Sequence, residues 1–149
     1  MKYNGYVWDM ESDNFYHQSK TIWYINFLSL DGTRELELWP FRDGFEDSRE
    51  KFLEWHNSFG ENPMVASFNG IGFDHWMLWK YMQVPFHLGK AGSDWLDYEK
   101  AQIIDLYVLS QFLDPDRPRH SLASYGEQFG DAKIDFHDFS KYTEEMRVY

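Results

Sequence analysis

The sequence contains no cysteine, so it forms neither a disulfide framework nor a thiolate metal site. It has no run of about 18 apolar residues, which excludes a membrane-spanning helix. The first residues also lack the basic segment followed by an apolar one that is typical of a signal peptide. We therefore expect a soluble intracellular protein with no membrane partner.

Basic residues are scarce as well. The chain has 14 Lys and Arg against 25 Asp and Glu, which gives a net charge of −11. Stand-alone nucleic-acid binders usually carry a basic face that neutralises phosphates, so this charge argues against a plain DNA-binding module. It does not exclude a nuclease whose carboxylates hold metal ions, or one whose larger partner supplies the positive charge.

Aromatic residues are abundant, at 20% of the 149 residues. This length predicts a single domain over residues 1–149 with one well-filled core. Most of the rings are expected to pack inside, and the remainder could form a surface on which nucleic-acid bases stack.

The hydrophobic pattern predicts three strands, a helix, a strand, a helix, a strand and further helices. Strands two and three are joined by an Asp-Gly turn and are expected to form a hairpin. Asp47 and Glu50 have the spacing of a capping box that opens the first helix, and Thr143 is a candidate cap for the last. This order predicts an α/β fold, a mixed sheet with helices packed on it, and is consistent with an RNase H-like fold. The predicted strands are 5–9, 21–29, 35–39, 64–68 and 102–104.

Asp9 and Glu11 stand at the end of the first predicted strand. Residues i and i+2 of a strand point to the same face, so both carboxylates should project together from the strand end. Two like charges held close ionise together more readily when a cation lies between them. The alternative is that they are two solvated acids at a strand end.

A second acidic motif, Asn69-Gly-Ile-Gly-Phe73-Asp74, follows the fourth predicted strand. Its glycines allow a sharp turn and a close approach to a ligand, and Asp74 falls in the first turn of a helix. The helix dipole favours an acid there without any catalytic role, and Asn69 could simply satisfy the turn.

Taken together, the two motifs place three carboxylates at strand ends, where open α/β sheets bind their ligands. No basic residue stands among them, so they predict a site of oxygen ligands for divalent metal ions. No Ser/His/Asp triad order, phosphate-binding glycine loop or Cys/His zinc spacing competes with this interpretation. The six histidines show no metal-binding spacing and are expected to be surface or core residues.

These motifs resemble those of the DnaQ-like 3′→5′ exonucleases, in particular the proofreading domains of podophage family-A DNA polymerases. Asp9-Met10-Glu11 resembles the first exonuclease motif of that family, and the segment from Asn69 to Asp74 resembles the second. The resemblance extends over essentially the whole chain in the family's order. It also includes the segments 104–110, 119–126, 133–136 and 144–149.

The resemblance implies a metal-dependent exonuclease that releases 5′-mononucleotides from the 3′ end of single-stranded DNA. Asp9, Glu11 and Asp74 would hold two Mg²⁺ or Mn²⁺ ions, with Asp9 bridging them and Asp74 serving mainly the second. Tyr149 would orient the attacking water, and Ser12 and Asn69 would contact the terminal nucleotide.

The resemblance also sets expectations about context. The family's last metal-binding aspartate would fall four positions after Tyr149, so we expect a domain cut just before it, with impaired activity. The expected partner is a polymerase domain in cis or in trans, in the cytoplasm of an infected bacterial host. Two alternatives stay open: a catalytically weak or inactive RNase H-like module that binds a partner, and an RNA-trimming exonuclease of the same superfamily.

Overall fold

A computed structural model describes residues 4–84, 101–130 and 138–147 of the chain. Within them five strands form one sheet. Their bounds are Gly5–Ser12 (β1), Ile22–Ser29 (β2), Glu35–Leu38 (β3), Met64–Ser67 (β4) and Gln102–Asp105 (β5).

The strands lie in the order β3-β2-β1-β4-β5. β1 pairs antiparallel with β2, and β2 antiparallel with β3, so the predicted hairpin is confirmed. β4 runs parallel to β1 and to β5. The sheet is therefore mixed, as predicted, and the carboxyl ends of β1, β4 and β5 meet at one edge.

The helices follow the predicted order, with one short addition. None of those in the described residues is long and apolar enough to cross a membrane. Their bounds are Pro40–Asp43 (α1), Phe45–Asn57 (α2), Asp74–Met82 (α3), Leu106–Leu113 (α4) and Leu122–Phe129 (α5), followed by a 3-10 helix at Glu144–Arg147.

Alternation along β1 separates the core from the second face of the sheet. Tyr6, Trp8 and Met10 are buried in the core, while Asp9 is exposed and Glu11 is half-buried on the opposite face. The core side is completed by α2 and α3, which contribute buried side chains to the same cluster. Because successive side chains of a strand point to opposite faces, one strand supplies both the core and the acidic pair.

The predicted capping box is wrong. α2 begins at Phe45, two residues before Asp47, and its N-cap residue is Gly44, at φ 94°. Gly44 follows directly on α1, a short helix that the sequence pattern did not predict, and glycine tolerates this left-handed turn between two helices. Asp47 lies inside the first turn and pairs with Lys51 at 2.6 Å instead.

The last predicted cap also differs from the expectation. The backbone carbonyl of Thr143, rather than its side chain, accepts a hydrogen bond from the Met146 N–H at 3.1 Å. The helix that follows is a short 3-10 helix within the described residues.

His56 is a core residue, as expected from its lack of metal-binding spacing. Its Nδ1 lies 2.8 Å from Tyr6 Oη in a buried hydrogen bond. Burial lowers the pKa of His56 to about 4. The folded protein therefore keeps this imidazole neutral at pH values where an unfolded chain protonates it.

Acid should destabilise the fold through His56. As the pH falls from about 6.5 towards 4, His56 becomes protonated in the unfolded chain but stays neutral in the folded protein. The free energy of unfolding should therefore drop by up to about 3 kcal/mol. His56→Gln, which keeps a hydrogen-bond acceptor for Tyr6, should lose this part of the pH dependence in urea unfolding. The exposed His17→Gln is the matched control. Identical pH profiles for His56→Gln and the wild type would contradict this role.

Candidate active site

Asp9 and Glu11 project from the second face of β1, as the strand periodicity predicted. Their cross-strand partners on β2 are Asn26 and Tyr24, respectively. The pairing shifts register between Glu11 and Ser12, which marks a bulge at the end of the strand. Bulges re-aim side chains at strand ends and are frequent next to active sites.

Asp74 is the first residue of the helix that follows β4. A turn follows β4, with Asn69 in the left-handed conformation at φ 58°, and α3 starts at Asp74. The Asp74 side chain is buried, at 5% exposure. The predicted place of this acid in the first turn of a helix is therefore confirmed, and the turn before that helix follows β4, the strand that pairs with β1.

Gly70 makes this turn possible by its lack of a side chain. A Cβ at this position would collide with the Ser67 side chain and lie 3.1 Å from Cδ2 of His75. Ser67 and His75 are themselves fully buried, with Ser67 Oγ 3.3 Å from His75 Nε2. The turn therefore packs directly on the end of β4.

The two predicted substrate contacts have local partners in the structure. Ser12 is nearly buried, and its hydroxyl donates to the Asn14 carbonyl at 2.9 Å. Asn69 is exposed, and its backbone N–H donates to Asp105 Oδ1 at 3.0 Å. Asn69 thus serves the turn, as its residue type allows, while its exposed position leaves a substrate contact open.

Tyr149 lies outside the described residues, as do residues 133–136, so the structure places neither of them. The chain just before Tyr149 is anchored on the sheet by Arg147, which donates to Glu37 of β3 at 2.8 Å and 3.1 Å. Tyr24 donates to the same carboxylate at 2.5 Å. Burial alone would raise the pKa of Glu37, but the hydrogen bonds from Tyr24 and Arg147 outweigh it and lower the pKa.

The three predicted carboxylates are suited to binding hard divalent cations. Asp9, Glu11 and Asp74 offer carboxylate oxygens, the ligands that Mg²⁺ and Mn²⁺ prefer. Across the ranges that the structure describes, however, no group of three His, Cys, Asp or Glu residues is already arranged to hold a metal ion. The three residues fit the predicted cofactor by their chemistry, although the described part of the chain shows no preassembled three-residue cage.

A groove of about 250 Å³ opens beside Asp9 on the second face of the sheet. Its wall is mostly apolar, and Asp9 and Asn26 are its polar members. The apolar lining comes from strands, from the turn after β4 and from the first residues of α4 and α5, and includes Val7, Leu28, Phe68, Leu106 and Leu122.

Sequence reasoning missed two residues of this region. Asp105 has no predicted role in the site, yet it is buried at 6% exposure at the end of β5, and its carboxylate accepts hydrogen bonds from the turn that leads to Asp74. Its position directly before an apolar helix is a typical N-cap signal. Phe15 lies in the loop after β1 and is 78% exposed, with its ring centroid 6.5 Å from that of Phe73. The hydrophobic pattern of the sequence does not predict its exposure.

A family model of the RNase H superfamily matches residues 7–130. The chain belongs to the RNase H superfamily. The match begins in β1, ends at the close of α5, and includes Asp9, Glu11 and Asp74. Membership confirms the predicted fold class and supports a nuclease-type function, and nucleases of this superfamily generally use divalent metal ions. A comparison with characterised proteins gave no significant match.

Gly70→Ala should destabilise this RNase H-like domain. The added methyl group must push into the buried Ser67 side chain, and overpacking of this kind costs about 1–3 kcal/mol. Gly126→Ala, inside α5, is the matched control, because alanine is favoured over glycine in a helix and should not destabilise. Chemical denaturation measures both. Equal stabilities of Gly70→Ala and the wild type would show that the turn does not pack as tightly as described.

Proposed function

We propose that this RNase H-like domain is a metal-dependent 3′→5′ exonuclease that releases 5′-mononucleotides from the 3′ end of single-stranded DNA. The observation that supports the proposal is that three acids lie on elements connected to one edge of the sheet. Asp9 and Glu11 share a face at the carboxyl end of β1, and Asp74 opens the helix that follows the adjacent parallel strand.

In this proposal Asp9, Glu11 and Asp74 hold two Mg²⁺ or Mn²⁺ ions. Such ions supply an activated water and stabilise the leaving 3′ oxygen. Tyr149 orients the attacking water, and Ser12 and Asn69 contact the terminal nucleotide. For Ser12 this requires its hydroxyl to exchange the Asn14 carbonyl for the substrate.

Exposed aromatic residues near the acids support a single-stranded substrate. Phe15 lies almost fully exposed in the loop after β1, and Trp76 is 36% exposed in the first turn of α3. Bases that are not paired can stack on such rings regardless of sequence. Because the chain carries a net charge of −11, bound metal ions would also have to offset the repulsion of the DNA backbone.

The biological context we propose is proofreading in a phage DNA polymerase. A polymerase domain in cis or in trans would supply positive surface for binding DNA, because this domain has a net charge of −11. The host cytoplasm is the corresponding compartment.

A second candidate function is a catalytically weak module of the same superfamily that acts through a partner. The lack of a preassembled three-residue metal cluster in the described ranges favours it, as does the negative charge. The two candidates differ in a simple way, because only the exonuclease depends on metal ions held by Asp9.

Mn²⁺ should raise the melting temperature of the wild-type protein. A ligand that binds the folded state alone stabilises it, by about 2.7 kcal/mol at a concentration 100 times the dissociation constant. Asp9→Ala should abolish most of this rise, because the proposed bridging carboxylate is gone. Differential scanning calorimetry with and without Mn²⁺ measures both effects.

The matched control for Asp9→Ala is Glu46→Ala, which removes an acid from the first turn of α2, outside the proposed metal-binding set. Its response to Mn²⁺ should equal that of the wild type. An undiminished response in Asp9→Ala would mean that the metal ions bind elsewhere.

The proposed substrate also predicts a requirement for a free end. Linear single-stranded DNA labelled at its 5′ end should shorten one nucleotide at a time with Mn²⁺, whereas a closed single-stranded circle should survive. Cleavage of circles at the same rate would identify an endonuclease. An RNA oligonucleotide of the same sequence belongs in the same assay, and a clear preference for it would favour the RNA-trimming alternative.

A further inference from the structure

The buried carboxylate of Asp105 joins two segments that are far apart in sequence. Asp105 is the last residue of β5, and Oδ1 accepts hydrogen bonds from the backbone N–H groups of Tyr107 at 3.0 Å and Val108 at 3.3 Å. The same Oδ1 accepts from Asn69 N–H at 3.0 Å, and Oδ2 accepts from Ile71 N–H at 3.0 Å.

Only half of this arrangement is helix capping. An N-cap side chain satisfies the first free N–H groups of its own helix, which here are those of α4. The bonds to Asn69 and Ile71 cross to the turn after β4 instead. Hydrogen bonds to a charged carboxylate are stronger than neutral ones, and burial keeps water from competing for them.

The turn held by Asp105 leads directly into the proposed catalytic acid. The Gly70 carbonyl, between the two bonded residues, accepts from Phe73 N–H at 3.2 Å and His75 N–H at 2.9 Å. These bonds fix the start of α3, whose first residue is Asp74. A displacement of Asn69 and Ile71 is therefore passed on to Asp74.

The other side of the turn is tied to the strand that carries Asp9. The His75 ring stacks on Trp8 with centroids 5.4 Å apart and planes 25° from parallel. Trp8 precedes Asp9 in β1. The start of α3 is thus fixed from β1 on one side and from β5, through Asp105, on the other.

We propose that Asp105 is a positioning residue of the active site. Its carboxylate sets the turn between β4 and α3, and through it the place of Asp74 relative to Asp9. The structural part of this role stands on the hydrogen bonds alone, and its catalytic consequence rests on the proposed exonuclease function.

Two substitutions separate positioning from helix capping. Asp105→Ser keeps a cap for α4, because a serine hydroxyl can accept a hydrogen bond from an N–H group of the first turn. The shorter serine side chain has one oxygen and cannot also accept from the backbone N–H groups of Asn69 and Ile71. Asp105→Asn keeps the side-chain length but leaves one acceptor oxygen in place of two. It serves as the second variant if Asp105→Ser does not fold. Ser121→Ala is the control, because it removes the side-chain cap of α5 (Ser124 N–H to Ser121 Oγ, 3.2 Å) and leaves the turn untouched.

The primary measurement is amide hydrogen exchange by NMR, which needs no activity. In Asp105→Ser the amides of Asn69 and Ile71 should exchange on the order of tenfold faster or more, while that of Tyr107 stays protected. The Asp74 amide resonance should shift in Asp105→Ser and stay in place in Ser121→Ala. In the exonuclease assay kcat should fall at least about tenfold with a smaller change in KM, because misplacement of a reacting group costs rate.

Each outcome bears on a different claim. Unchanged exchange at Asn69 and Ile71 would overturn the proposal, as would faster exchange with an unmoved Asp74 resonance. An unchanged kcat in a variant with a displaced Asp74 would overturn the catalytic role. A wild-type protein that neither binds Mn²⁺ nor cuts DNA would refute the proposed function, while exchange and resonances would still decide the role of Asp105.

Discussion

The parallel pairing of β1 with β4, and of β4 with β5, is the constraint on which the rest of the site depends. It sets Val7 beside Ala66, and Ala66 beside Ile104, so the three strands end at one edge. β1 runs on past the end of β4, and its last residues therefore lie beside a turn rather than beside a strand on that side. The strand that carries Asp9 and Glu11 thereby ends on the side of the sheet where the turn to Asp74 begins.

The two faces of β1 have different roles, one in the core and one in the proposed site. Trp8 and Met10 bury their side chains in the core, and Asp9 and Glu11 project from the opposite face. A slip of one residue in the pairing of β1 would exchange these sets, placing two carboxylates in the core. The large aromatic residues of the core hold the register, because a ring such as Trp8 fits only one side of the sheet.

The acidic character of the chain gives the site a particular dependence on cations. Carboxylates near a phosphate backbone repel it unless positive charge lies between them. The basic side chain of Arg147 is already bound to Glu37. Bound metal ions and a basic partner are therefore the two sources of positive charge that could attract the DNA backbone to the proposed site.

Local pattern alone determined the strands, their hairpin and the shared face of Asp9 and Glu11, because period-two alternation needs no distant partner. It also placed Asp74 at the start of a helix. What it could not determine was where the polar groups of distant segments meet. Gly44 replaced Asp47 as the cap of α2 because a short preceding helix set the turn, and Asp105 serves the turn at Asn69 because two parallel strands bring them together. Such contacts form only once the sheet has assembled, so only the tertiary structure decided them.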